Sequence, residues 1–185
     1  MKIWELSLEE IGLTSFYLPE DGAQKGFEAL MDNLYEDNKP IIEKWEPFVL
    51  LKEEQKVDPD FFDLYDTGSL IVSLDAAAVL ALSMPDNDYE MLPFMNDEDT
   101  YVLINHLKYT DCLNKKDSVY ETFDNGLISD YKTLVFDSEM AFETPFFRIP
   151  ELPYTIFVTH IFKYFYDTQG LKGLIFDDDN LVFVD

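Results

Sequence analysis

Basic residues are scarce in this sequence. Lys and Arg together number 13 against 38 Asp plus Glu over 185 residues, and Arg148 is the single arginine. Cysteine occurs once, histidine twice and glycine seven times. Each shortage excludes something. One thiol, Cys112, forbids an intramolecular disulfide and a cysteine-based zinc site, which fits a reducing compartment. His106 and His160 lie far apart and outside any HExxH or H-x-E pattern, which leaves little for metal ligation or acid–base catalysis. The longest apolar-rich stretch, Leu70 to Met84, contains Asp75 and is too short to span a bilayer. The opening Met1-Lys2-Ile3-Trp4-Glu5 lacks the basic-then-apolar pattern of a signal peptide, so a cytoplasmic protein is expected.

Aromatic and apolar residues, by contrast, are plentiful. There are 16 Phe and 11 Tyr, and 47% of residues are apolar. Acidic disordered chains are poor in both, so this chain folds. Its net charge of −25 repels nucleic-acid phosphates and anionic lipid, and favours basic partners or metal cations. No direct nucleic-acid partner and no membrane partner are expected.

Strands are expected at Lys2–Leu6, Leu13–Leu18, Glu46–Lys52, Leu70–Val72, Tyr101–Ile104, Thr133–Phe136 and Ile156–Val158. Phe27, Leu30, Met31 and Leu34 recur at helical spacing between Gly26 and Tyr35. Ser73 reads as the N-cap of a helix over 75–82, closed by Pro85. Thr159 reads as the cap of a second helix with an apolar stripe of Ile161, Phe162, Phe165 and Tyr166, ended by Gly170 at C′. Leu174–Phe176 and Leu181–Val184 are expected to form a hairpin across the turn Asp177-Asp178-Asp179-Asn180. A weak internal repeat sets Phe61-Phe62 through Ser73 beside Phe146-Phe147 through Thr159, with one inserted residue. The fold expected is α+β, with small mixed sheets and packed helices. It is one domain over 1–185, with a division into two related strand–helix lobes at 1–95 and 96–185 as the alternative.

Two blocks then carry a resemblance. The first runs Tyr101-Val102-Leu103-Ile104-Asn105, then Asp111-Cys112-Leu113-Asn114 and Ser118. The second runs Phe147-Arg148, the strand to Thr159, and Gly170-Leu171-Lys172-Gly173-Leu174-Ile175-Phe176. In order and spacing these resemble the immunity protein 11 family of bacterial polymorphic toxin systems, over about the last two thirds of the chain. Asn114 stands where that family's pattern has an acidic residue. The resemblance implies a non-enzymatic cytoplasmic antitoxin that binds a cognate secreted toxin domain and occludes its active or substrate site. It implies no cofactor and no catalytic or metal-ligating residue. Asn105, Asp111, Gly170 and Gly173, together with Arg148, fall in it as structural positions.

Two acidic segments are the candidate partner-binding residues. Asp86, Asp88 and Glu90 on one side, and Asp97, Glu98 and Asp99 on the other, flank an apolar loop tip with Met91 and Phe94 as anchors. Asp177, Asp178 and Asp179 form the second segment. A basic toxin, such as a nuclease, would complement both. Two rival readings remain. One is an acidic mimic of nucleic acid that inhibits a DNA-binding protein, which would compete with DNA for several unrelated proteins. The other is a metal-dependent hydrolase built on Asp58, Asp60, Asp63 and Asp66, which would show saturable binding of a divalent cation. Arg148 has two readings of its own, a phosphate or partner anchor and a structural ion pair, of which the second is the commoner for a lone guanidinium.

Overall fold

The computed structural model describes residues 2–8, 15–17, 40–47, 49–52, 59–64, 70–84, 88–96, 99–141 and 145–184. The helix expected at 26–35 lies outside them. In chain order the strands are β1 (Ile3–Leu8), β2 (Ser15–Tyr17), β3 (Leu51–Lys52), β4 (Phe61–Leu64) and β5 (Leu70–Ser73). Helix α1 (Leu74–Ser83) leads to β6 (Tyr89–Asn96), β7 (Asp99–His106), β8 (Val119–Thr122) and β9 (Ile128–Asp137). After one helical turn at Ser138–Ala141 come β10 (Phe146–Ile149), β11 (Leu152–Thr159), α2 (His160–Gln169), β12 (Leu174–Asp177) and β13 (Leu181–Val184). The structure is therefore mixed but mostly strand, with two ten-residue helices among the described residues.

Two compact units divide the chain. The first comprises Met1–Ser7, Lys108–Gln169 and Ile175–Asp185, and the second Leu8–Leu107 and Gly170–Leu174.

In the second unit a six-stranded sheet runs β3-β2-β4-β5-β7-β6. Its core gathers Phe16, Leu50, Phe62, Ile71, Leu92, Phe94, Tyr101 and Leu103. The Phe16 ring meets Phe62, Phe94 and Tyr101 edge-on at centroid distances of 5.3, 5.3 and 4.8 Å. Phe94 and Tyr101 are also direct partners across the β6–β7 ladder, so one aromatic cluster ties the sheet together at its most buried point. The expected helix cap is present. Ser73 has an extended backbone and its Oγ accepts from Ala76 N at 3.2 Å. Helix α1 buries Ala76, Ala77 and Leu80.

Residues 89–96 differ from expectation. Met91 to Met95 is the middle of a strand, not the tip of a loop. Pro93 argues against a strand in general, because it cannot donate to a ladder. Here β6 is the sheet edge, which is where proline is tolerated.

The first unit holds a four-stranded sheet, β10-β11-β1-β12, and a three-stranded one, β13-β9-β8. Its core includes Ile3, Cys112, Leu113, Ile128, Leu134, Phe136, Phe147, Ile149 and Phe157. Helix α2 lays Phe162 and Tyr166 inward, and Gly170 follows it with φ +68°. The expected hairpin of the last two strands does not form. Strand β12 neighbours β1, while β13 pairs in parallel with β9, Leu181 opposite Leu134 through Val184 opposite Asp137. The turn redirects the chain: Asp179 N donates to Asp177 Oδ1 at 2.8 Å, and Asn180 takes φ +68°.

The repeat-like segments adopt matching registers. Phe61 and Phe62 lie opposite Val72 and Ile71, and Phe146 and Phe147 lie opposite Val158 and Phe157. Each hairpin runs straight into a ten-residue helix. In each unit the strand after that helix takes the fourth place in the order: β4-β5-β7-β6 in one, β10-β11-β1-β12 in the other. The third place is filled by the next strand in the chain in one case and by β1 in the other.

Candidate functional site

Of the first candidate segment, Asp86, Asp97 and Glu98 lie outside the described residues. Phe94 is fully buried in the aromatic cluster, and Met91 is half-buried on β6. Glu90 is turned inward and 8% exposed. Its carboxylate accepts from Ile41 N at 2.8 Å, Ile42 N at 2.9 Å and Asn105 Nδ2 at 3.0 Å. Those three donors engage both carboxylate oxygens, so Glu90 locks the turn at Ile42–Lys44 to β6 and β7. Asn105, itself fully buried, is the third corner of that lock. Asp88 is half-buried, and its carbonyl accepts from Leu107 N at 2.9 Å.

Asp99 is exposed and lines a cleft of about 450 Å³ in the second unit. The cleft is bounded by the start of α1 and the start of β7, with Asp60, Asp75 and Asp99 as its carboxylates and Phe62 and Tyr101 as its aromatic lining. Asp60 is already engaged: Ser73 Oγ donates to Oδ1 and Lys172 N to Oδ2, both at 3.0 Å. Asp75 sits in the first turn of α1, where the helix dipole favours an anion. Among the described residues no Lys, Arg or His side chain lines the cleft. Such a site favours cationic groups through its charge.

Asp177, Asp178 and Asp179 belong to the first unit. Asp178 forms an ion pair with Lys2. Asp177 lies near a pair that sequence reasoning did not single out: Tyr131 Oη on β9 donates to Glu5 Oε2 on β1. Burial, together with the nearby Asp177 charge, holds the Glu5 carboxyl above the usual range against the lowering effect of the Tyr131 hydrogen bond. Burial and Glu5 together push the Tyr131 phenol well above its usual value. Nothing in the local sequence pairs residues 5 and 131; the contact is made by tertiary structure.

The remaining singled-out residues are internal or scattered. Arg148 is 2% exposed, and burial lowers its guanidinium to about 10, which keeps it charged at neutral pH. His106 is buried at the end of β7, while His160 is exposed at the start of α2. Asp111 is exposed beside buried Cys112. Asp58 and Asp66 lie outside the described residues. Among the described residues no group of three or more His, Cys, Asp or Glu is arranged to hold a metal ion. None of their helices is long and apolar enough to cross a membrane. No protein-family model matches this chain, and no curated protein does.

Proposed function

We propose that this chain is a cytoplasmic immunity protein that binds a basic toxin domain and blocks its active or substrate site. The observation that carries the reading is the cleft at the start of α1, where three carboxylates and two aromatic residues meet with no basic side chain among the described residues. The charge of −25 supports it, since opposite potentials accelerate encounter and set orientation. The resemblance of the Tyr101–Ser118 and Gly170–Phe176 blocks to immunity proteins names the class of partner. Asp75 and Asp99 are the residues assigned to a toxin lysine or arginine. The two hairpin–helix segments are read as related lobes, on their matching Phe-Phe registers.

Co-expression with the product encoded immediately upstream tests this reading. Protection of cells from that product is expected, and Asp75→Lys with Asp99→Lys should reduce it. Unprotected cells together with no complex in a pull-down would sink the proposal.

A further inference from the structure

Strand β8 is the edge of the sheet β13-β9-β8. Edge strands offer unpaired backbone groups to another chain, and proteins commonly guard them with charge. This edge is guarded in an unusual way. Tyr120 points inward and packs on the core of the first unit. Val119, Glu121, Thr122 and Phe123 are exposed. Val119 is 56% exposed and Phe123 59%. Phe123 stands at the turn that joins β8 to β9, held by Phe123 N to Leu127 O at 2.8 Å and Gly126 N to Phe123 O at 2.9 Å.

Between the two apolar side chains Glu121 lies directly opposite Asp130 of β9. Both are exposed. Like charges at directly opposed positions of an antiparallel pair repel and destabilise the hairpin. Among the described residues neither carboxylate forms an ion pair. A purely protective edge would not need exposed valine and phenylalanine beside its charge. The apolar pair supplies anchors, and the acid pair selects who may use them. A second copy of this chain would bring its own carboxylates to the same place and be repelled.

We propose that the outer face of β8 and its edge, which no other described strand pairs, dock an extended, lysine- or arginine-bearing segment of a partner protein, with basic side chains on Glu121 and Asp130 and apolar ones on Val119 and Phe123. This is strand addition to a sheet edge, with main-chain pairing for affinity and side chains for selection. The inference needs the partner of the preceding section to be basic, not to be a toxin. Failed protection of cells with intact peptide docking would therefore overturn that reading and leave this one standing.

The test is titration of the isotope-labelled full chain with a short synthetic peptide of alternating Lys and Val, read by backbone amide shifts. Shifts are expected to concentrate on Val119–Phe123 and Asp130–Thr133. A peptide of alternating Glu and Val should cause none. Glu121→Lys should weaken binding roughly tenfold or more. In the free protein the same substitution should raise the melting temperature, because the repulsion is relieved, so lost binding is not confused with misfolding. Phe123→Ser, which leaves the charge intact, should weaken binding several-fold. Overturning results are equal or larger shifts at the cleft of Asp75 and Asp99 or at Asp177–Asp179, binding indifferent to both variants, no binding, or concentration-dependent self-association through β8.

Discussion

Asp60 engages both the backbone N–H and the carbonyl of Lys172, 112 positions along the chain. Asp60 N donates to Lys172 O at 2.9 Å, and Lys172 N donates back to Asp60 Oδ2 at 3.0 Å. Asp60 O also accepts from Ser73 N at 2.9 Å. The short segment Gly170–Leu174 is thereby fastened to β4 and to the cap of α1, within the second unit.

Gly173 makes that approach possible. Its φ is +107°, and a Cβ there would meet Pro59 Cβ at 2.8 Å and Phe61 O at 3.2 Å. Gly173→Ala should cost about 2–4 kcal/mol in denaturant unfolding. Gly170→Ala faces open space at φ +68° and should cost only about 1 kcal/mol. Equal losses at the two positions would contradict the packing described.

Glu90 offers a second stability test. Replacing it by Ala leaves the buried Asn105 amide without this carboxylate and releases Ile41 N and Ile42 N. A loss of about 2–3 kcal/mol is expected, with most of it from the buried amide. Hydrogen exchange at Ile41 and Ile42 should speed up before that of β7. A neutral Glu90→Ala variant with unchanged exchange would mean that the lock does not hold.

Glu5 predicts a pH dependence of definite sign. Its folded value is raised above the usual 4.5, so the folded state holds the proton more tightly than the unfolded chain. Ionised Glu5 therefore opposes folding at neutral pH, and that opposition fades as pH falls from the raised value toward 4.5. Glu5→Gln should raise the melting temperature at pH 7. The gap from the parent protein should close on acidification through that window. A lower melting temperature at pH 7 would contradict the assignment.

Cys112 should be inert in the folded protein. Burial, reinforced by the charges of Asp111, Glu151 and Asp137, pushes the thiol up to about 12. That is roughly a thousandfold less thiolate than an unshifted thiol at the same pH. Reaction with a thiol reagent at pH 8 should follow the rate of unfolding. Fast labelling of native protein would place the side chain elsewhere.

Much of the local structure was legible where its cause is local. Ser73 caps α1 because a hydroxyl three residues ahead of a free amide is a short-range signal, and Gly170 ends α2 because the left-handed region favours glycine. The Phe-Phe segments announced two hairpin–helix pieces with the same register. What was missed depends on distant partners. Strand β6 reads as a loop in sequence because Pro93 is acceptable only at an edge, and edges are not visible in sequence. The final hairpin failed because Leu174–Asp177 and Leu181–Val184 found partners in β1 and β9 instead of each other. The acids divided in the same way. Composition marks the chain as acidic, but only packing turns Glu90 inward, opposes Glu121 to Asp130 and leaves Asp75 and Asp99 in a cleft.

We propose that the acidic surface binds one basic protein tightly. The most direct test is the association of the purified chain with the product encoded immediately upstream, followed at low and high salt. A stoichiometric complex of roughly nanomolar or tighter affinity is expected, with association that slows steeply as salt rises. Absence of a complex at either ionic strength would contradict it.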